Sequence, residues 1–154
     1  MSETGYEDNP SKFELFFAED GAALETAKET ITAAFVFIQD EHDDLLVMKN
    51  ERGFDIAGGH REGDETIEET AHREALEEAC ATIDDLTFYA FIKNGDTAMA
   101  VFTASPIEIR EFIPDEDDPT SDRTLMSVAD FRQAYSGGDK TMMNKLLDRL
   151  PSER

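Results

Sequence analysis

An acidic helical segment that follows a pair of glycines constrains this chain more than any other stretch. The segment from Gly58 to Ile83 reads GGHREGDETIEETAHREALEEACATI. Each residue of a helix advances by about 100°, so Glu74, Glu77 and Glu78 fall within roughly 100° of one another. Like charges at these spacings repel each other. The pattern therefore predicts that a cation offsets the three carboxylates.

The apolar pattern of the same segment turns two of these carboxylates toward the interior. The apolar positions recur every four residues, as in an amphipathic helix, and are Ile67, Ala71, Ala75 and Ala79. Projected on that helix, Glu78 lies within the apolar stripe and Glu74 lies at its edge. Half-buried carboxylates need a partner, and basic side chains nearby are few. The pattern favours a hard divalent cation such as Mg²⁺, which takes oxygen ligands.

The segment resembles the Nudix box, G-x5-E-x7-R-E-U-x-E-E-x-G-U, in which U is a bulky aliphatic residue. The box would run from Gly59 to Ala81, and its fixed positions match at Gly59, Glu65, Arg73, Glu74, Glu77 and Glu78. So many matched positions make the motif specific. Two features depart from it: Cys80 stands where the family has glycine, and small Ala75 and Ala81 stand at aliphatic positions. Cysteine there is expected to cost about 1 kcal/mol in a left-handed conformation, or to end the helix differently.

The resemblance implies a Nudix-type α/β/α sandwich with a mixed β-sheet. It also implies a metal-dependent hydrolase of the pyrophosphate bond in a nucleoside diphosphate linked to another group. Glu74, Glu77 and Glu78 would be catalytic and, with the Gly59 carbonyl, would bind one or more Mg²⁺ ions, with Mn²⁺ as an alternative. Glu65 and Arg73 would form a structural pair that holds the loop onto the helix. One of the glutamates or an acidic loop residue would act as the general base.

The substrate stays open within one class, the small-molecule nucleotide derivatives. Nucleoside triphosphates, including oxidised ones, nucleotide sugars, ADP-ribose and dinucleoside polyphosphates are all compatible with the box. Lys49 ends a predicted strand and Arg52 follows three residues later, so these two cations are a candidate phosphate contact, although ordinary surface charge is an equal alternative. Many family members add a carboxylate just before a strand resembling residues 124–128, where this chain has Thr124. The candidate substitutes are Asp122, Asp118 and Glu116, although the composition of residues 114–122 by itself favours an ordinary solvated turn.

The charge of the chain narrows its partners. It carries 36 acidic against 14 basic residues, a formal net charge of −22. This balance argues against a nucleic-acid-binding surface and against an anionic membrane surface, both of which favour basic patches. A phosphate substrate is also anionic, and a bound divalent metal would invert the field locally. A homodimer is compatible with the sequence but does not follow from it.

The start of the chain lacks a secretory pattern, and no apolar run reaches the roughly 20 residues that span a bilayer, so a cytoplasmic protein is expected. The single cysteine, Cys80, excludes an intramolecular disulfide. Hydrophobic residues make up 40% of the chain, which favours a packed globule. One domain over residues 1–154 is expected, with residues 1–12 as a loose extension. His42, His60 and His72 have no zinc-ligand spacing and are expected to be surface residues.

The predicted elements alternate between strands and helices, as in an α/β sandwich. Strands are predicted at 13–17, 32–38, 45–48, 86–93, 97–104 and 124–128, with a tight hairpin turn at 94–96. A short strand and turn are predicted at 53–59, and an edge strand or extended segment at 107–113. Helices are predicted from an N-cap at Asp64 or Thr66 to Ala79, and at 129–135 and 141–150.

Two functions other than hydrolysis are alternatives for this chain. A Nudix-fold module that binds or senses a nucleotide without hydrolysing it is favoured only by Thr124 at the family's glutamate position. The presence of all three box carboxylates argues against that module. A plain acidic helix in an unrelated fold would require the whole box to match by accident.

Overall fold

The structure is a computed structural model that describes residues 13–24, 30–51, 53–113, 122–135 and 137–152. The described residues form eight strands: β1 (Glu14–Phe17), β2 (Ile31–Ile38), β3 (Leu45–Asn50), β4 (Gly53–Asp55), β5 (Ala57–His60), β6 (Ala81–Asn94), β7 (Thr97–Ile109) and β8 (Asp122–Met126). They also form three α-helices: α1 (Ile67–Ala79), α2 (Val128–Ala134) and α3 (Lys140–Asp148). A single 3₁₀ turn, Ala18–Asp20, follows β1.

A five-stranded sheet forms the centre of the fold, in the order β1-β6-β7-β2-β5. β2 runs parallel to β7 and antiparallel to β5, so the sheet is mixed, as predicted. β2 is the continuous apolar run of the sequence, and side chains from it are buried on both faces of the sheet. Val36 belongs to the core on one face, and Phe37 belongs to the core on the other.

Helices cover both faces of this sheet, which confirms the predicted α/β/α architecture. On one face, the apolar stripe of α1 packs against β2, β6 and β7. On the other face, α2 and α3 contribute apolar side chains to a second core, among them Phe131, Leu146 and Leu147. The large aromatic side chains lie mainly in these two cores, where their burial stabilises the fold through the hydrophobic effect.

A second, three-stranded sheet in the order β4-β3-β8 was not anticipated. β8 pairs antiparallel with β3, in a register that sets Val47 opposite Thr124 and Lys49 opposite Asp122. The sequence predicted both strands but not their partnership, because residues so far apart in the chain leave no local signal for pairing. The candidate residues Lys49, Asp122 and Thr124 lie in this sheet, near the C-terminal end of α1.

The β6–β7 ribbon is longer than predicted. β6 begins at Ala81 rather than at residue 86, and β7 continues to Ile109. Residues 107–109 therefore belong to β7, so a separate edge strand there is wrong, and residues 110–113 lie outside the strands. Register shifts occur at several points along the ribbon. The hairpin turn itself is confirmed, with Asn94 and Thr97 paired around Gly95 and Asp96.

The helices also differ slightly from prediction at their ends. Val128, predicted to end a strand, instead begins α2 after the N-cap Ser127. α3 spans Lys140–Asp148, with Asp139 as its N-cap. Within the described residues, no helix is both long enough and apolar enough to span a bilayer. The cytoplasmic location stays a prediction.

Candidate active site

The helix α1 begins with a complete capping box. The Thr66 hydroxyl accepts a hydrogen bond from the Glu69 amide at 3.1 Å, and the Glu69 carboxylate accepts one from the Thr66 amide at 2.7 Å. These contacts satisfy amides that a helix start leaves without partners. Of the two predicted N-caps, Asp64 and Thr66, the structure selects Thr66. The cap fixes the rotation of α1, and therefore the direction in which its glutamates point.

Glu74 lies against the backbone of Gly59 and is buried, with 9% of its surface exposed. A β-carbon added to Gly59 would lie 2.6 Å from the carboxyl carbon of Glu74, which is too close for any side chain. Burial raises the pKa of Glu74 above its ordinary value, and the neighbouring Arg73 charge opposes that rise. Any side chain at position 59 would therefore have to displace the Glu74 carboxylate.

Glu78 and Gly58 join α1 to β5. The Gly58 amide donates a hydrogen bond to Glu78 Oε1 at 2.9 Å. A β-carbon on Gly58 would lie 2.8 Å from Cγ of Phe35 and 2.7 Å from the Ala34 carbonyl oxygen. The two glycines thus serve close packing on both sides of β5, and neither has a positive φ. Which atoms approach the two glycines is set by the packing of β5 against β2 and α1.

Arg73 makes hydrogen bonds to several groups of the site. Its Nη2 donates to Glu65 at 2.8 Å and to the His60 carbonyl at 2.9 Å. Its Nη1 donates to Glu74 at 3.0 Å and to Glu77 at 3.2 Å. From the sequence we expected too few basic side chains near the carboxylates, but the Arg73 guanidinium lies among them. Because a guanidinium presents several donors in a fixed plane, one arginine links three carboxylates.

Glu65 closes the loop before α1. Its Oε1 accepts hydrogen bonds from the Glu62 amide and the Thr70 hydroxyl, each at 2.9 Å. The hydrogen bond from Arg73, together with those from the Glu62 amide and Thr70, holds the pKa of Glu65 at about 2, well below its ordinary value of 4.5. Sequence analysis missed Thr70, whose fully buried hydroxyl oxygen also lies 3.1 Å from the Thr66 carbonyl oxygen and can donate to only one of these two acceptors at a time.

The lowered pKa of Glu65 predicts a specific acid response. A carboxylate whose pKa is lowered in the folded state contributes stability above its unfolded pKa and loses that contribution as the pH falls through the folded pKa. The Glu65→Gln variant should therefore melt at a lower temperature than wild type at pH 7. The difference should shrink as the pH falls from about 4.5 to about 2. Thermal melts by circular dichroism across this range test the prediction.

The exposed Glu68 on the same helix provides the matched control. Glu68→Gln removes one charge from α1 without touching the Glu65 contacts, so its melt should follow that of wild type. A Glu65→Gln melting difference that stays constant between neutral and acidic pH would contradict the prediction.

The close contact at Gly59 predicts the effect of its smallest substitution. Gly59→Ala places a methyl group against the Glu74 carboxylate, so either the carboxylate or β5 must shift. Overpacking of this kind costs about 1–3 kcal/mol of the free energy of unfolding. Displacement of Glu74 should also lower turnover about 100-fold. Gly138→Ala is the control, because a β-carbon there meets no atom within 4 Å. Equal effects of the two variants would rule out the contact as the cause.

The C-terminal end of α1 is held by Arg123 of β8. Cys80 adopts a left-handed conformation, with φ 51° and ψ 41°, so the helix ends as it would with glycine despite the substitution. The Arg123 guanidinium donates to the carbonyl oxygens of Ala79 and Cys80, and it lies over the ring of Phe112. These contacts satisfy carbonyls at the helix end. Sequence analysis missed Arg123, because only the β3–β8 pairing brings it there.

The structure describes some of the candidate substrate-binding and loop residues but not others. Lys49 and Asp122 are exposed and lie opposite each other on β3 and β8, so the structure brings together a cation and a carboxylate that the sequence treated separately. Thr124 is exposed and pairs with Val47. Arg52, Glu116 and Asp118 lie outside the described residues, and their roles stay predictions.

The side chains suit a divalent ion in kind. Carboxylate oxygens are the ligands that Mg²⁺ and Mn²⁺ take, and three of them project from adjacent turns of α1. No three acidic, histidine or cysteine side chains among the described residues already form a metal-binding cluster. Holding an ion would therefore require Glu74 and Glu77 to exchange Arg73 for it. Glu77, whose side chain is 57% exposed, has room to move.

The sequence profile of the NUDIX domain matches residues 29–146, which is more than half of the chain. A comparison with curated protein sequences gave no match.

Solved structures share the fold. A pyrophosphohydrolase from Bacillus subtilis is 18% identical, with a TM-score of 0.59, and the match covers 74% of this chain and 70% of that one. A Nudix-family hydrolase from Clostridium perfringens is 21% identical, with a TM-score of 0.59 and coverage of 77% and 97%. An ADP-ribose pyrophosphatase from Streptococcus suis is 16% identical, with a TM-score of 0.56 and coverage of 75% and 88%. At these identities the likeness is one of fold.

Proposed function

This chain belongs to the Nudix family of hydrolases, and we propose that it hydrolyses the pyrophosphate bond of a nucleoside diphosphate linked to another group, with a divalent metal ion as cofactor. Mg²⁺ is the proposed ion, and Mn²⁺ is the alternative. The substrate would be a small nucleotide derivative, and the reaction would take place in the cytoplasm.

One observation carries this proposal: a buried carboxylate, Glu74, is held against a glycine backbone beside two further glutamates of the same helix. Burying a charged carboxylate is costly unless it is paired, and Arg73 is the partner of Glu74 in this structure. Clusters of this kind occur where a protein binds ions or performs proton transfer. Glu74, Glu77 and Glu78 are accordingly the proposed catalytic residues.

The proposed metal ligands are Glu74, Glu77 and Glu78, together with the Gly59 carbonyl. When bound, a divalent ion would neutralise phosphate charge and make a bound water a stronger nucleophile near neutral pH. Without such an ion, a chain with a net charge of −22 would repel an anionic substrate. Lys49 and Arg52 are the proposed phosphate contacts outside the box.

The remaining box residues would position these groups. Glu65 and Arg73 tie the loop at residues 61–66 to α1, and Arg73 also orients Glu74. Fixing carboxylates and loop in this way reduces the reorganisation that the reaction requires. These side chains therefore act by holding the geometry of the site.

The proton from the attacking water would pass to a carboxylate. Glu74 is one candidate, because burial raises its pKa above the ordinary value, which makes the carboxylate a stronger base. Asp122, Asp118 and Glu116 are the candidates from the acidic loop. Comparing the pH–rate profiles of Glu74→Gln and Asp122→Asn distinguishes a general base on α1 from a general base in the acidic loop. Only the loss of the base removes the acid limb of the profile.

A substrate panel tests the proposed function. Release of phosphate or nucleotide would be measured with nucleoside triphosphates, nucleotide sugars, ADP-ribose and dinucleoside polyphosphates, each with Mg²⁺, with Mn²⁺ and with a chelator. Turnover of at least one member only in the presence of metal is the expected result, and it would name the substrate class. Tight binding of one member without turnover would favour a nucleotide-binding module, with Thr124 at the family's glutamate position as its cause.

A further inference from the structure

The far ends of β6 and β7 extend as a two-stranded ribbon beyond the rest of the five-stranded sheet. β2 pairs with β7 only as far as Ala104, whereas β6 pairs with it as far as Ile109. In the described part of the chain, residues 105–109 of β7 therefore have a strand partner along one edge only. The other edge presents main-chain amides and carbonyls that can pair with another strand.

Exposed apolar side chains concentrate at this open edge. Ile107 is 66% exposed and Ile109 is 39% exposed, and Ile113, just beyond the strand, is 72% exposed. Single exposed apolar residues are common on protein surfaces. Three isoleucines within seven residues, beside an unpaired strand edge, form a patch of the kind that binds another protein.

The backbone direction at this edge follows from one hydrogen bond. The Arg110 amide donates to the Cys80 carbonyl at 2.8 Å, so it points toward β6. Along a strand, successive residues alternate the edge toward which their amide and carbonyl point. The amide and carbonyl of Ile109 therefore point away from β6, toward the open edge. Ile109 is the residue best placed to begin pairing with another strand.

We propose that a second copy of this chain pairs with this edge, antiparallel, about a two-fold axis through Ile109. In that arrangement the Ile109 residues of the two copies lie opposite each other and exchange two main-chain hydrogen bonds. A two-fold axis uses the same patch on both copies, so the assembly closes at a dimer. The apolar side chains at the edge are covered in the same step.

Charge complementarity identifies the occupant as a second copy. Arg110 Nε lies 3.1 Å from Glu108 Oε1, which places both side chains on the same face of the strand, opposite Ile109. Antiparallel pairing about Ile109 sets Glu108 across from Arg110 of the partner subunit, and Arg110 across from the partner's Glu108. Opposite charges across a strand pair stabilise it, and like charges destabilise it. The segment is therefore complementary to itself.

Two features limit the length of this pairing. Pro106 has no amide hydrogen to donate, so the ladder cannot extend along the edge past it. The register shift between Thr82 and Ile83 of β6, opposite Pro106, bends the ribbon at the same level.

The net charge of −22 opposes association of two copies. Because the Debye length at physiological salt is about 8 Å, charges far from the edge are screened, and the contacts at the edge itself decide whether the two copies associate.

Sedimentation velocity of the full chain at physiological salt, over a series of protein concentrations, tests the proposal. Wild type should shift from monomer to dimer as its concentration rises. Glu108→Arg and Arg110→Glu should each raise the dimer dissociation constant about tenfold or more, because each sets like charges across the two-fold axis. The double variant Glu108→Arg/Arg110→Glu restores opposite charges and should recover the wild-type constant.

Asp96→Arg is the matched control, since it changes the net charge as Glu108→Arg does but lies in the hairpin turn at the opposite end of the ribbon. It should leave the dissociation constant at or below the wild-type value. Thermal melts of all variants establish that they are folded. A wild-type chain that stays monomeric throughout the series would overturn the proposal. So would a dimer that both single charge reversals leave intact, because its interface would then lie elsewhere.

Discussion

Glu77→Gln is expected to abolish metal-dependent turnover, lowering it about 100-fold or more, while the melting temperature stays nearly unchanged or rises. The amide keeps the size of the side chain but removes an anionic oxygen ligand. Glu77 is largely exposed, so little packing is lost. Its contact with Arg73 is an exposed ion pair of small net value. Removing one of three neighbouring charges on α1 also relieves repulsion within the helix.

Initial rates across a metal titration and melts by circular dichroism measure the two expected effects. Glu68→Gln is the control on the same helix, because Glu68 is exposed and lies outside the box positions. It should keep the wild-type rate and metal dependence. A Glu77→Gln enzyme that turns over like wild type would remove Glu77 from the proposed metal site. Loss of turnover with an equally large loss of stability would point to misfolding instead.

Arg73→Ala is expected to lower both turnover and melting temperature. Turnover should fall about 10- to 100-fold, the usual cost of losing a residue that orients metal ligands. The melting temperature should fall because Glu65, Glu74 and Glu77 lose a shared cation, and Glu74 is buried. Arg73→Lys keeps one charge but lacks the planar fork that reaches several carboxylates, so it should restore stability more than turnover.

Arg132→Ala separates the general cost of losing an arginine from the effect on the site. Arg132 links α2 to α3, with Nη2 at 3.0 Å from Asp148 and Nη1 at 3.2 Å from Oδ1 of Asn144. Its loss should lower the melting temperature and leave turnover unchanged at a temperature well below both melts. If Arg73→Lys matched wild type in both rate and stability, a point charge would suffice, and the bridging role of the guanidinium would be wrong.

The Nudix box could be recognised in the sequence because its pattern involves residues that lie close together along the chain. Glutamates that lie within two turns of one helix must share a face, whatever the rest of the fold does. The same reasoning predicted the stripe that includes Ala71 and Ala75, both of which are buried. Thr66 as N-cap and the turn at Gly95 are likewise set by residues within a few positions of one another. The profile match over residues 29–146 extends this local signal to the whole fold.

Other parts of the site depend on contacts that no local pattern encodes. Arg123 reaches the end of α1 only because β8 pairs with β3. Lys49 and Asp122 became neighbours through the same pairing. The contact of Arg73 with Glu65 depends on where the loop at residues 61–66 folds back, whereas its contacts with Glu74 and Glu77 lie within one turn of α1. The contacts of Arg123, Lys49 and Glu65 join residues brought together by packing.

By itself, then, the sequence determined which residues share a helix face, the few residues within which that helix begins, and which family the chain resembles. These features rest on the period of the helix and on turn chemistry, which act over a few residues. The tertiary structure alone decided which atom approaches each glycine, which cation balances Glu74, and which strand edge is left open at Ile109. Those outcomes depend on close packing between distant segments, where shifts of a few tenths of an ångström decide the contact.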